Sequence, residues 1–329
     1  MIHSSLPKIS VVVCTHNRCN MLRDTLVSLA EMSVPNNLPW ELVVVDNNST
    51  DETKKAVESF IRSSRLNAKY VLECNAGLSY ARNRGIMESE GGVVSFLDDD
   101  VVVASDWLTE IWKAFEQFGA MCVGGRVLLH GAPQMPSWWH QGFDVAVGKF
   151  DRGDNIILYK NDDEELIGIG ANMSFRRMIF EKYGLFDTEM GRIGNQQRTG
   201  EETELVLRLR RNNELAVYYP AAVVYHCVAN DRFSKRYLRL NAYHFGGWRY
   251  LSDLEAPSKS FKILGVPLWM YRATLEAAGM MLCRFLLGRR AEAFIQERRV
   301  LVYLGYFMAA RRTGRSKEPF RGRKSGAPA

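Results

Sequence analysis

The chain has 329 residues, 47% of them apolar, enough to bury one large domain or a domain with an extension. Its net charge of +6 resides in residues 311–329, where Arg311, Arg312, Arg315, Lys317, Arg321, Arg323 and Lys324 face one acid, Glu318. The rest of the chain is formally neutral, which excludes a globally basic nucleic-acid-binding surface. The start, MIHSSLPK, lacks the apolar core and cleavage site of a secretory leader, so no secretion is expected. Six cysteines without a CxxC pair read as reduced thiols in a cytosolic core rather than disulfides or a zinc site.

In chain order, ISVVVCT (9–15) predicts a first strand and residues 20–32 a helix with Leu22, Leu26 and Leu29 on one face. ELVVVDN (41–47) predicts a second strand, and residues 51–63 a helix capped by Asp51 with Ala56, Val57, Phe60 and Ile61 apolar. YVLECN (70–75) gives a weaker strand, residues 77–90 a helix, and VVSFLDDD (93–100) a further strand. Continuous apolar strands alternating with helices predict an α/β fold, a parallel sheet covered on both faces.

Ligands of such sheets bind outside the carboxyl ends of the strands. Three of these ends are polar: Thr15-His16-Asn17-Arg18, Asp46-Asn47-Asn48-Ser49 and Asp98-Asp99-Asp100. No G-x-G-x-x-G follows the first strand and no P-loop occurs anywhere, so phosphates must be held another way. Three adjacent aspartates repel unless a cation sits among them, and a hard divalent cation, Mn2+ or Mg2+, would also neutralise a diphosphate. An acidic turn ahead of a helix from Ser105 is the plainer alternative.

ISVVVCTHNR, ELVVVDNNSTDET, NAGLSYARNRGI, VVSFLDDDVV and GEETELVLRL, in this order and spacing, resemble family 2 glycosyltransferases of the GT-A fold over about Ile9–His226. The resemblance implies a Rossmann-like, mostly parallel sheet and an inverting, metal-dependent transfer of sugar from a nucleotide-sugar. A UDP-sugar is the first expectation and a dTDP- or GDP-sugar the alternatives; the acceptor is a hydroxyl of a glycan or lipid-linked intermediate in cell-surface polysaccharide synthesis.

The resemblance also assigns roles. Thr15 and Asn17 line the nucleotide pocket, Asp46 accepts a hydrogen bond from base or ribose, and Arg82 contacts the nucleotide with Asn83 beside it. Asp98 and Asp100 are the outer members of the D-x-D motif, Asp100 the direct metal ligand and Asp98 a ribose or metal contact; Asp99 only tunes charge. Glu202 stands where the family places an aspartate as general base, with Glu201 and Glu204 as competitors; all three lie at a helix start, where the dipole favours acids anyway. His226, after the strand-like AVVYH, is a metal or diphosphate contact or a structural histidine. Asn172, in GANMSFRR, is a candidate for facing the donor or acceptor sugar. MGRIGNQQRTG (190–200) reads as a lid or a plain connection, and Trp138-Trp139 as a sugar platform, although adjacent tryptophans usually divide into one buried and one exposed.

Beyond the catalytic domain (1–231) the sequence predicts a helical extension (232–310) and a basic tail (311–329). Its apolar stretches, 261–288 and 300–310, are interrupted by charge or too short to span a bilayer. They suit helices lying in a membrane interface or packed as an ordinary helical subdomain, and the tail favours peripheral contact with an anionic cytoplasmic membrane face. The alternatives to a transferase are a nucleotidyltransferase, which would need a glycine-rich first loop, and an inactive nucleotide-sugar-binding module. Slow hydrolysis of a nucleotide-sugar would separate the enzyme from the module.

Overall fold

β-branched runs need a pleated, packed surface and amphipathic runs need an apolar face to cover, and the two solve each other here. The computed structural model describes residues 8–131, 134–159, 166–188, 190–191, 200–255 and 260–313, and the chain divides into two compact units between Ser234 and Lys235.

The first unit runs β1 (Ile9–Thr15), α1 (Cys19–Ala30), β2 (Trp40–Asp46), α2 (Thr53–Ser63), β3 (Ala68–Leu72), α3 (Leu78–Glu88), β4 (Val93–Asp98), β5 (Val101–Val103) and α4 (Trp107–Phe118). It continues with β6 (Cys122–Leu129), a 3-10 turn (Gln141–Val147), β7 (Ile157–Tyr159), β8 (Asn172–Arg176), α5 (Met178–Tyr183), α6 (Glu201–Arg211), β9 (Ala216–His226) and a second 3-10 turn (Asn230–Phe233). The strands form one sheet in the order β3-β2-β1-β4-β8-β6-β9-β5, with β7 on the other side of the first half of β9. The β3-β2-β1-β4 half is parallel throughout. The other half is mixed: β6 runs parallel to β9, while β8, β5 and β7 run antiparallel to their neighbours.

Val11, Val12 and Val13, like Val43, Val44 and Val45, are wholly buried, because helices cover both faces of the parallel half. Leu22, Leu26 and Leu29 of α1 supply part of that cover, on the face their spacing predicts. Asp51 does more than cap α2. Its Oδ1 accepts from the Thr53 N–H (3.1 Å) while its Oδ2 accepts from the Cys19 N–H at the start of α1 (3.1 Å), so one carboxylate serves two helix N-termini. All six cysteines are free.

The second unit comprises α7 (Lys235–Glu255), a hairpin of β10 (Lys262–Ile263) and β11 (Val266–Pro267), α8 (Leu268–Leu286) and α9 (Arg290–Thr313). Helices α7 and α9 meet through glycines: a Cβ on Gly246 would lie 1.9 Å from the Val302 carbonyl oxygen, and one on Gly305 equally close to that of Tyr243 at 1.9 Å. Tyr250, Val266, Met270, Tyr303, Tyr306 and Ala310 form its small core. Among the described residues no helix is long and apolar enough to cross a membrane.

Candidate active site

Register decides which residues meet at the carboxyl edge of the sheet. Thr15 pairs with Asp46 and Cys14 with Asp98, so β1, β2 and β4 end side by side. The chain leaves β4 at Asp98 and rejoins the sheet at Val101, which pairs with His226 at the far end of β9. That pairing brings Asp100 against an imidazole 126 positions away, with His226 Nε2 3.1 Å from Asp100 Oδ1.

The aspartates are not left to repel one another. Arg18 Nη1 lies 2.6 Å from Asp99 Oδ1 and 2.8 Å from Asp100 Oδ2, and the Thr15 hydroxyl donates to Asp99 Oδ2 at 2.7 Å. Asp99, expected to tune charge only, is therefore a buried anchor for Arg18. Arg18 is a residue for which the sequence offered a signal, its place in the polar end of the first strand, but no role. Burial pushes the Asp99 carboxyl up to about 6 against the pull of Arg18. Asp100 goes the other way: despite its burial, His226 and Arg18 hold it well below the usual carboxylate range. Asp100 in turn raises the His226 imidazole, although burial opposes this.

One ligand atom each from Asp98, Asp100 and His226 lies within 4.8 Å of the others. Asp98 is the most open carboxylate of the three aspartates, and the buried Asp100 Oδ1 has His226 Nε2, itself part of the cluster, as its neighbour at 3.1 Å. Two carboxylate oxygens and an imidazole nitrogen suit Mn2+ or Mg2+, the nitrogen favouring Mn2+, so the residues fit such a cation. The backbone makes room for the histidine. Gly148, at φ +76, packs against its ring so closely that a Cβ there would lie 2.3 Å from Nδ1.

A second charge cluster faces the first across Arg82, which is buried on α3. Its Nη1 lies 2.5 Å from Glu201 Oε1 and 3.8 Å from Glu202 Oε2, and its Nη2 lies 3.8 Å from Asp98 Oδ1. The Phe96 and Phe186 rings flank the guanidinium at 5.9 and 5.5 Å, supporting the cation from its apolar side. Asn83 clamps the segment that carries Phe186, accepting from its N–H (3.0 Å) and donating to its carbonyl (2.9 Å). Burial, then the charge of Glu201, lifts the Glu202 carboxyl well above the ordinary range, with Arg82 opposing. Its Oε2 is buried without a hydrogen bond. A carboxylate in that state is a poised proton acceptor.

Asp46 is buried at the carboxyl edge of the sheet, where Oδ1 accepts from the Ser49 N–H and Oδ2 from the Tyr70 hydroxyl, each at 2.9 Å. Thr15 and Asn17 stand at the same edge but spend their side chains on neighbours: Thr15 on Asp99, and Asn17 Oδ1 on the Thr50 N–H at 2.7 Å. Glu204 is turned into a two-pronged ion pair with Arg208 on α6, away from Arg82.

Asn172 is wholly buried, donating to the carbonyls of Arg126 and Ala222 (3.0 and 2.9 Å) and accepting from Trp107 Nε1 (2.9 Å). It fills the break in register between β6 and β9, so its amide is committed to the sheet. Trp138 and Trp139 do not divide into buried and exposed; both are half-buried, with ring centroids 6.0 Å apart, and Trp139 donates to Asp144 Oδ1 at 2.9 Å. Most of the expected lid, residues 192–199, lies outside the described residues.

The family described as "Glycosyl transferase family 2" matches this chain over residues 10–184. A glucosyl-dolichyl phosphate glucuronosyltransferase of Haloferax volcanii is 28% identical over 260 residues, 77% of this chain and 80% of that protein. The succinoglycan biosynthesis protein ExoM of Rhizobium meliloti is 29% identical over 240 residues, 72% of each chain. Among solved structures, the mannosyltransferase PcManGT of Pyrobaculum calidifontis, in complex with GDP-Man and Mn2+, superposes with a TM-score of 0.61 at 18% identity, covering 93% of this chain and 86% of that one. S. aureus TarS 1-349 with UDP-GlcNAc gives a TM-score of 0.53 at 19% identity, covering 89% of this chain and 90% of that one.

Proposed function

Taking as premise that the chain belongs to glycosyl transferase family 2 and is a glycosyltransferase of the GT-A fold, we propose that it moves a sugar from a nucleotide-sugar donor to an acceptor hydroxyl with inversion at the anomeric carbon. The observation that carries the reading is the clustering of Asp98, Asp100 and His226 within 4.8 Å at the edge where Asp46 also ends its strand. Asp98, Asp100 and His226 would hold Mn2+ or Mg2+, which when bound would neutralise the diphosphate of the leaving group.

The chain's own residues supply the rest. Asp46 fixes the base or ribose, and Arg18 keeps the aspartate turn folded by offsetting Asp99 and Asp100. Glu202 accepts the proton of the attacking hydroxyl, while Glu201 stays bound to Arg82 and leaves Glu202 as the free base. Attack from the face opposite the leaving diphosphate is a single displacement, hence inversion.

A UDP-sugar is the first choice of donor, with dTDP- and GDP-sugars the alternatives. The acceptor is a glycan or a lipid-linked intermediate in polysaccharide synthesis, a reading supported by the dolichyl-phosphate and succinoglycan relatives, and the site of action is the cytoplasmic side, peripheral to a membrane. The nucleotidyltransferase alternative loses its support to the family match.

The test is a panel of nucleotide-sugars read by thermal shift with and without Mn2+, followed by release of nucleoside diphosphate. One donor should stabilise the protein only with the cation and be slowly hydrolysed. Binding without any hydrolysis or transfer would instead identify a binding module.

A further inference from the structure

The helix α8 is mostly apolar on the side that faces solvent, its leucines interrupted by one exposed ion pair, Arg272 with Glu276. Positions 268, 272, 275, 279, 282 and 286 recur at helical spacing and are all exposed, and four of the six are leucines. Leu275 and Leu286 are each 75% exposed, and Phe285 and Leu287 lie bare beside them. The hairpin before α8 continues the surface with Phe261, Ile263 and Leu264. Leu264 forms its tip with Gly265, both at positive φ (50° and 77°), a turn that favours Asn-Gly. A branched apolar side chain in that backbone, 87% exposed, is unfavourable in water on both counts.

Cations bracket this surface. At the C-terminal end of α8, Arg284, Arg289 and Arg290 face one acid, Glu292. At the hairpin end, α9 finishes alongside the turn: Ala310 shares a buried cluster with Val266, and a Cβ on Gly265 would lie 3.8 Å from that of Ala310. The exposed Arg311 and Arg312 therefore leave α9 next to the apolar tip, and the sequence beyond them adds Arg315, Lys317, Arg321, Arg323 and Lys324.

We propose that the exposed stripe of α8 and the Leu264 tip are a docking surface for a lipid leaflet with anionic headgroups. Leucines would enter the acyl boundary while arginines at both ends meet the headgroups. A second copy of this chain fits the same surface less well. Antiparallel pairing of two α8 helices would set Arg311 and Arg312 of one copy against Arg284, Arg289 and Arg290 of the other. The proposal rests on the second unit alone and stands or falls independently of the catalytic reading.

Flotation of the full chain with phosphatidylcholine vesicles, with and without phosphatidylglycerol, tests it. The wild type should float with the anionic vesicles, and added salt should weaken binding. Leu275→Ser, Leu282→Ser and Leu286→Ser together should weaken it at least about tenfold, since all three side chains would be withdrawn from lipid. Leu264→Asn is the companion variant, because asparagine suits the left-handed backbone. It should raise the melting temperature while lowering vesicle binding, a pair of changes that a purely structural role for Leu264 does not produce.

A fluorophore on Cys283, in a Cys74→Ser background, should shift to the blue with anionic vesicles. Equal binding by wild type and the triple variant would overturn the proposal, as would equal binding to vesicles without phosphatidylglycerol. So would self-association of the wild type that the triple variant abolishes, with no flotation by either.

Discussion

The two units use one helical period to opposite ends. In α1, Leu22, Leu26 and Leu29 are buried under the sheet; in α8, leucines at the same kind of spacing look outward, Leu275 and Leu286 most of all. Arginines differ by the burial of what they meet: Arg18 and Arg82 are drawn in to buried carboxylates at 2.5–2.8 Å, whereas Arg272 pairs with an exposed glutamate, Glu276, and Arg289 and Arg290 stand exposed at the end of an apolar surface. Periodicity identifies the face of a helix but not the medium that the face meets.

If the division between a chemical unit and a docking unit is sound, variants in one should leave the other's readout intact. The largest effect is expected from Asp100→Asn, which removes a carboxylate oxygen from the candidate cation cluster and breaks its contacts with Arg18 and His226. Transfer should be lost and donor binding should no longer respond to Mn2+ in a thermal-shift titration, while vesicle flotation is unchanged. Full activity in EDTA would remove the cation from the reading, and loss of flotation would break the division between the units.

Next comes Glu202→Gln, for which a drop in turnover of about 10²–10⁴-fold is expected with donor binding retained. The wild-type rate should also rise with pH on a limb set by Glu202. Because burial and Glu201 raise this carboxyl, its ionised, base-competent fraction grows in the neutral range rather than near the ordinary carboxylate value. The glutamine variant should lose that limb. Stability runs in the opposite sense, since a carboxyl that binds its proton more tightly when folded contributes less as pH rises through its raised value.

The smallest effect belongs to Glu204→Gln. Losing the pair with Arg208 should cost at most about 0.5 kcal/mol of stability by denaturant titration, and turnover should fall far less than for Glu202→Gln. The reverse ranking would assign the base to Glu204.

The parallel half of the fold was open to reading from sequence because its strands are short β-branched runs and its helices carry clear apolar faces, as in 9–15 and in Leu22, Leu26 and Leu29. Asp98, Asp100 and Asp46 were legible for the same reason: a strand end fixes where a side chain stands. What stayed hidden depends on contacts between distant segments. Nothing near Asn172 in sequence announces the break between β6 and β9 that consumes its amide, and the bridging role of Arg18 exists only once the first loop and the aspartate turn are adjacent. Glu201, Glu202 and Glu204 look alike at a helix start; Arg82 and Arg208, arriving from different directions, tell them apart.

The pairing of Val101 with His226 has a consequence for how such a site can diversify. The backbone ladder sets Val101 beside His226 and so holds Asp100, the next residue back, in step with the imidazole, with Arg18 of the first loop bracing the Asp100 carboxylate. The aromatic segment around Trp138, Trp139 and Phe143 belongs to no strand and can change its residues without disturbing that ladder. Substitutions in that segment can therefore accumulate while the spacing of the charge cluster is inherited unchanged: a fixed anvil beneath an exchangeable die.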